Sequence, residues 1–263
     1  MAFRILYNAA SDLSTATITS DSQAGDNVDD NIVNNRIGKK WRTSSDTTEW
    51  IKWDMGSSTP VDVVGVFATN LQAASAGASI TFEGNATDSW GSPSIDESIT
   101  IPTNADGAVL PRMVKFLSPQ ANVRYYRITV DDPSNPDTYI EIGRAMFGAY
   151  YETTRDISDG WRVEVLDPST GDEKPGQVPV RTQKNRFRRI SCSFEIVGQT
   201  EADKWHAIFD HIGNSRPALI SWNPAGRASE DSAYVYLKTP LDLVHQFIEQ
   251  STLQRLVWEE KTR

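Results

Sequence analysis

Between Glu49 and Met55 the chain alternates strictly, with Trp50, Lys52 and Asp54 on one face and Ile51, Trp53 and Met55 on the other. A period of two with one apolar face predicts a half-buried strand. Gly56-Ser57-Ser58-Thr59-Pro60 reads as a tight turn, and the apolar run Val61–Ala68 as the strand that leaves it. Before this pair, residues 3–7 predict a short strand, Ala16–Ile18 another, and Ser20–Lys40 a long polar loop. Loops of that length in a compact domain are usually functional or ordered by a ligand. After it come a small-residue loop at Asn70–Ala78, a strand at Ser79–Glu83, and a turn-rich stretch at Asn85–Ser98. Ile99–Ile101 and Met113–Leu117 are expected as strands. Val123–Val130 alternates again, setting Arg124, Tyr126, Ile128 and Val130 against Val123, Tyr125, Arg127 and Thr129. Asp131–Asp137 makes two turns in tandem.

The pattern changes after Tyr150–Gly160, which is the expected domain boundary. Trp161–Leu166 predicts a strand, Asp167–Asn185 a Pro- and Gly-rich arm, and Arg186–Val197 a long strand with Ile190, Cys192, Phe194 and Ile196 inward. Glu201–Ile212 is the one convincing helix. Thr200 is its expected N-cap, Asp203 an acidic partner in the first turn, and Gly213 its stop. Its apolar stripe is Ala202, Trp205, Phe209 and Ile212, with Ile208 beside it. Further strands are expected at Ala218–Trp222, Ala233–Leu237, Leu243–Ile248 and Leu253–Glu259. Strands followed by one helix and more strands point to a small α+β unit. The expected fold is therefore mainly β: a jelly-roll sandwich over 1–150, then an α+β module over 155–263.

Two resemblances bear on this. The run W-x-x-S, E-W-I-K-W-D-M-G and P-V-D-V-V-G-V from Trp41 onward resembles the discoidin or coagulation-factor C-type domain, a galactose-binding-like sandwich. Phe82–Trp90, Val123–Val130 and Ile140–Gly148 match that family's later strands in order. The resemblance implies that Trp41, Trp53 and Trp90 are core residues, while Trp50 is left undecided. It also implies a ligand edge built from the loops at one end of the sandwich. Sugar recognition needs an aromatic surface for the C–H face and polar groups that grip hydroxyls. On those loops the polar residues are Asn34, Asn35, Arg36, Asn70 and Asp137, with Tyr139 the one aromatic. The competing reading is that these residues only build turns. The second half, from Arg186 to the closing strands, resembles small domains of phage tail-tip and tail-hub proteins in its order and texture.

In the discoidin-like family a structural calcium often lies between an early Asp-rich loop and a late Glu. Asp26, Asp29 or Asp30 would supply the first part here, but Arg144 stands in the late position. A guanidinium paired bidentately with a carboxylate would replace the ion's charge, so no metal is expected. The resemblances together imply a non-catalytic structural protein of a phage tail tip, made in the host cytoplasm and carried on the virion. Its partners would be other tail proteins in a homo-oligomeric ring, and a cell-surface glycan. The alternative is a bacterial carbohydrate-binding protein or an accessory module of a glycan-active enzyme.

Composition narrows the chemistry. The 263 residues carry 26 Lys and Arg against 35 Asp and Glu, a net charge of −9, which argues against a broad nucleic-acid surface. Residues 1–150 hold 11 basic and 18 acidic side chains, so that half is −7; residues 151–263 hold 15 and 17, so that half is −2. Arg181–Arg189 concentrates five basic residues in nine. Beside the Pro- and Gly-rich arm, Arg181, Lys184, Arg186 and Arg188 are expected to meet an acidic protein neighbour. One cysteine, Cys192, excludes an internal disulfide and a cysteine zinc set. His206 and His211 are five apart on the helix and diverge, and His245 lies on another element, so no metal triad is expected. No hydrolase, zinc-protease, phosphate-loop or dinucleotide motif occurs, and no cofactor is expected. A glycosidase needs only two carboxylates across a cleft, but acidic residues here crowd into turns, where they cap backbone. No run approaches the ~20 apolar residues of a membrane span, and MAFRILYNAAS lacks the apolar stretch of a signal peptide.

Overall fold

A computed structural model describes residues 3–158, 160–172, 180–247 and 250–261. The chain is mainly β with a single α-helix among the described residues. In chain order the first strands are β1 (Arg4–Leu6), β2 (Thr17–Ser20), β3 (Trp41–Arg42), β4 (Glu49–Phe67) and β5 (Ser79–Asn85). They are followed by β6 (Ile95–Ser98), β7 (Arg112–Asp131), β8 (Glu141–Ile142), β9 (Arg144–Gly148) and β10 (Tyr151–Glu152). Next come β11 (Arg162–Leu166), β12 (Thr170–Asp172), β13 (Val180–Thr182), β14 (Phe187–Val197) and the helix α1 (Gln199–Ile212). The last are β15 (Ala218–Ser221), β16 (Ser232–Leu237), β17 (Leu243–Phe247) and β18 (Gln250–Glu260). Short 3-10 turns cover Ala10–Asp12, Asp29–Val33 and Ala74–Ala76.

Two compact units result. One is Met1–Thr153 with Ala218–Ala233, the other Thr154–Pro217 with Tyr234–Arg263. The strand expected at Ala218–Trp222 thus returns to the first unit, because Leu219, Ile220 and Ser221 pair with Leu6, Ile5 and Arg4 of β1.

The first unit is a β-sandwich around Trp41, Ile51, Trp53, Phe82, Tyr126, Ile128 and Phe147, all fully buried. Trp53 meets Phe147 edge-on at 5.0 Å between ring centroids, and Phe82 stacks on Tyr126 at 5.5 Å. One sheet runs β2-β4-β7-β5-β6, with β9 also on β4; β3 and β8 form a separate pair, and β1 lies between β10 and β15. The even-numbered side chains of 124–130 were expected on one face, and Tyr126, Ile128 and Val130 are buried as that predicts.

The tight turn expected at Gly56–Pro60 is not there: β4 runs through it as one strand, paired along its length with β7. Asp54 pairs with Tyr125 and Thr59 with Val123, so five residues of β4 advance against two of β7. Then Val61 pairs with Ala121 and Val63 with Phe116, so two advance against five and the original register returns. Two bulges on opposite strands therefore cancel. The first is held by Gly56 at φ +75, by Arg124 bidentate on Asp54 at 2.7 and 2.8 Å, and by Tyr126, whose hydroxyl donates to the Thr59 carbonyl at 2.6 Å. Opposite the second, Asp62 accepts from Gln120 Nε2 and from the Tyr150 N–H. Similarly, the strand expected at Ile99–Ile101 forms four residues earlier, as β6, which pairs with β5 from Thr81 to Gly84. The two expected strands at Met113 and Val123 are one, β7.

The second unit orders its strands β16-β18-β14-β11, with β17 also on β18. Ile190, Cys192, Phe194 and Ile196 are buried as expected, and Ala202, Trp205, Ile208 and Ile212 form the buried face of α1. Phe194 and Trp205 lie 5.3 Å apart between ring centroids. Phe209, placed on the expected stripe, sits at its half-buried edge, and Ile208 takes the inner position. The N-cap is Gly198 at φ +85, not Thr200, since the helix begins two residues earlier than the capping pattern suggests. Gly213 ends it, as expected. The far end of the expected strand Leu243–Ile248 lies outside the described residues.

Candidate functional site

Loops at one end of the sandwich bring together Lys40, Arg42, Asn70, Asp137, Tyr139 and Glu141. Trp41 and Arg42 of β3 pair with Ile142 and Glu141 of β8, which sets Arg42 directly across from Glu141. Arg42 Nε and Nη2 donate to Glu141 Oε1 at 2.9 and 2.5 Å, while Lys40 Nζ takes Oε2. Burial alone would raise the Glu141 carboxyl, but these two cations hold it below its ordinary value, so it is ionised and structural. The hydrogen bond that Arg42 donates to Glu141 in turn raises the Arg42 guanidinium.

Asn70 ties the facing loop to this pair. Its Oδ1 accepts the Glu141 N–H at 2.7 Å, and its Nδ2 donates to the Tyr139 carbonyl at 3.0 Å and to Asp137 Oδ2 at 3.1 Å. Between Asp137 and Tyr139 the chain turns at Thr138 with φ +59, a left-handed conformation that is rare for a β-branched residue. The turn is pinned from below. Asn135 Oδ1 accepts the Asp137 N–H, and the buried Asp132 accepts from Asn135 Nδ2 and the Gln72 N–H. Gly143 lets the loops approach this closely, because a Cβ there would lie 2.4 Å from the Ile37 carbonyl oxygen.

The result is a fixed polar edge. The Arg42 guanidinium lies 4.2 Å from the centroid of the Tyr139 ring, and Nε and Nη2 are its only nitrogens on Glu141. Arg42 Nη1, Asp137 Oδ1 and the Tyr139 hydroxyl carry no hydrogen bond among the described residues: one donor, one acceptor, one group that can be either. Of the sequence-predicted ligand residues, Asn70, Asp137 and Tyr139 are brought together. Asn34, Asn35 and Arg36 are not among the residues those bonds join, and Asn34 Oδ1 accepts the Arg36 N–H to close a local turn. Lys40, Arg42 and Glu141 were missed. Their signal was the pairing of two very short strands, which no local periodicity betrays.

Other expectations fare differently. Trp41 and Trp53 are core residues, but Trp90 is not: it lies half-exposed under the Arg127 guanidinium at 4.3 Å and donates to Asp88 at 2.7 Å. Trp50 lies on the opposite face from Trp53, half-buried, 5.6 Å from Lys52 Nζ. Arg144 is fully buried, but its carboxylate is Asp12, reached through Nη2, and Asp26, Asp29 and Asp30 are not its partners. Asp12 sits on the 3-10 turn that follows β1. Nη1 reaches the Ile32 carbonyl at 3.4 Å. Among the described residues no group of three metal-ligating side chains gathers. Cys192 is buried, which pushes its thiol up to about 12 and makes it a poor nucleophile. His206 is exposed.

In the basic stretch, Arg188 is committed internally to Glu260 through Nε at 2.8 Å and Nη2 at 2.7 Å, in a nearly buried pair. Arg186 is exposed and reaches Asp167 at 3.1 Å. Ser169 and Arg186 together hold the Asp167 carboxyl down to about 2. Lys184 is exposed, its N–H bonded to Ser169 Oγ. The Arg181 side chain and residues 173–179 of the arm lie outside the described residues.

No protein-family model matches the chain, and no curated protein matches it significantly. Solved structures do, over about half of it. A GH29 fucosidase of Ruminococcus gnavus is similar at 16% identity over 55% of this chain and 27% of that one, with a TM-score of 0.43. CpGH89CBM32-6 of Clostridium perfringens is similar at 10% identity, over 53% and 98%, with a TM-score of 0.41. Chitosan-binding module 1 of a chitosanase/glucanase from Paenibacillus sp. IK-5 is similar at 17% identity, over 51% and 96%, with a TM-score of 0.38.

Proposed function

We propose that the first unit is a non-catalytic carbohydrate-binding module and that its ligand sits on the Arg42–Asp137–Tyr139 edge. The observation that carries this is the strained turn at Thr138, held by three bonds from one Asn70 side chain. A left-handed Thr costs free energy, on the order of 1–3 kcal/mol, and a plain surface turn would not keep it. Here it fixes a carboxylate and a phenol side by side, against a guanidinium that is itself clamped. A sugar offers a face of C–H bonds bordered by hydroxyls, each of which donates and accepts. Asp137 suits a hydroxyl donor, Arg42 Nη1 a hydroxyl acceptor, and the Tyr139 ring the apolar face. Because these side chains are positioned before the ligand arrives, little ordering entropy remains to oppose binding.

The cluster does not supply acid–base catalysis. Its buried carboxylate, Glu141, is neutralised by two cations, Lys40 and Arg42, which leaves it no proton to give and no free charge to take one. No feature of the structure favours the tail-tip role expected from the texture of the second half. The test is a glycan array probed with the whole chain and with Asp137→Ala. Binding of at least one glycan class by the first, weakened about tenfold in the second, is the expected result. An array blank for both proteins overturns the reading.

A further inference from the structure

Within the second unit, the outer faces of β11, β14 and β18 line a cavity of 590 Å³ that no part of the sugar-binding reading uses. Its wall holds Arg162, Glu164, Arg189, Lys238, Arg255 and Glu259, with Ser191, Ser193 and Thr239 between them. Four cations against two carboxylates make the wall basic in a chain whose net charge is −9. Each carboxylate is already paired: Glu164 with Arg162 at 2.6 Å, and Glu259 with Arg189 at 2.8 Å and Lys238 at 3.4 Å. Burial tends to raise Glu259, but those two cations hold it below its ordinary value, so it stays a charged, occupied partner. Arg255 makes no ion pair or side-chain hydrogen bond among the described residues.

Arg255 also stands on unusual backbone. Between Cys192–Leu256 and Phe194–Leu253 the pairing of β14 and β18 slips, because two residues of β14 advance against three of β18. The extra residue falls at Gln254–Arg255, where both side chains are exposed between the buried Leu253 and Leu256. Arg255 itself has φ +46, a conformation that glycine takes readily and arginine does not. A bulge of this kind re-aims a side chain, and here it turns an unpaired guanidinium into a basic cavity lined with hydroxyls.

We propose that this cavity binds a small oxyanion, a carboxylate, sulfate or phosphate group, with Arg255 as its principal ligand. A guanidinium presents its donors in a fork that matches two oxygens of such a group. Ser191, Ser193 and Thr239 offer hydroxyl donors to the remainder. The anion would satisfy the only cation of the wall that is strained and unpaired at once.

The test is calorimetric titration of the full chain with sodium phosphate, sodium sulfate and sodium glucuronate, at fixed ionic strength against sodium chloride. At least one oxyanion should bind about tenfold more tightly than chloride. Glucuronate preferred over phosphate identifies a sugar carboxylate as the source; the reverse order identifies a phosphoryl group; equal binding identifies the oxyanion itself. Arg255→Gly removes the charge while keeping the backbone conformation, so its melting temperature should match or exceed wild type while binding falls about tenfold. Arg255→Lys keeps the charge but loses the fork, so it should bind more weakly than wild type and more tightly than Arg255→Gly; binding equal to wild type would overturn the role of the guanidinium. Arg255→Gly binding as well as wild type, or no oxyanion binding better than chloride, overturns the proposal. This site and the sandwich edge lie in different units, so failure of either assay leaves the other reading standing.

Discussion

Single side chains at the sandwich edge each carry more than one bond, and their removal should show it. Asn70→Ala leaves the Glu141 N–H, the Tyr139 carbonyl and Asp137 without their partner. An unsatisfied, partly buried backbone donor costs about 1–3 kcal/mol, and chemical denaturation should read a loss of that size. Gly143→Ala should cost about 3 kcal/mol, the upper end of overpacking penalties, because the clash is with backbone and cannot be relieved by rotating a side chain. Asp54 offers a pH signature. Arg124 and the Gly56 N–H hold its carboxyl at about 2, below the ordinary 3.8. A lowered folded value stabilises the fold above the unfolded one, and that contribution is lost as pH falls from 3.8 toward 2. Asp54→Asn should therefore flatten the acid limb of melting temperature against pH in that window; an unchanged limb would show that the Arg124 pair contributes nothing. Trp53 was legible because apolar periodicity reports burial, and Trp41 through its place in the resemblance. Trp90 was not, since a family position says nothing of the Arg127 guanidinium and the Asp88 carboxylate that hold it at the surface. Arg42 was invisible for the same reason: its role is set by a residue about a hundred positions away.

Elements were easier to find than to join. The alternation of β4, the inner face of β14 and the helix α1 all follow from patterns of period 2 or 3.6 that burial imposes. The reading of Gly56–Pro60 as a turn failed because Gly and Pro mark a change of backbone direction or register, and sequence alone does not say which. Here the change is a bulge that a second bulge on β7 cancels. In β18 the bulge does leave a local trace: the apolar phase moves from Leu253 to Leu256 and Trp258, across one odd step. Arg188 shows why element context governs a mutation. It lies on the inner-face phase of β14 and meets the nearly buried Glu260, whereas Arg186 precedes the strand and is exposed. Arg188→Glu should destabilise by about 3–5 kcal/mol by confronting two buried carboxylates. Arg186→Glu should cost less than about 1 kcal/mol. Equal effects in urea denaturation would contradict the pairing.

At the scale of the whole molecule, the first unit is completed by residues far along the chain. β1 pairs with β15, and Ser229 Oγ accepts the Val114 N–H at 2.9 Å. A fragment ending near Thr153 lacks both, so it should melt below the full chain and expose β1. Limited proteolysis is then expected to leave 218–233 associated with the sandwich after cleavage elsewhere. A fragment of residues 1–153 as stable as the intact protein would contradict that. The long-range closure was not legible because strand partners separated by about 200 residues leave no periodic trace. The central claim is that the Arg42–Asp137–Tyr139 edge holds a sugar. Amide hydrogen exchange with and without a glycan selected on the array tests it most directly. The account predicts new protection confined to about residues 37–43, 69–72 and 135–142, and none on the face that carries Trp50 and Trp90. Protection on that face with the edge unchanged would contradict it.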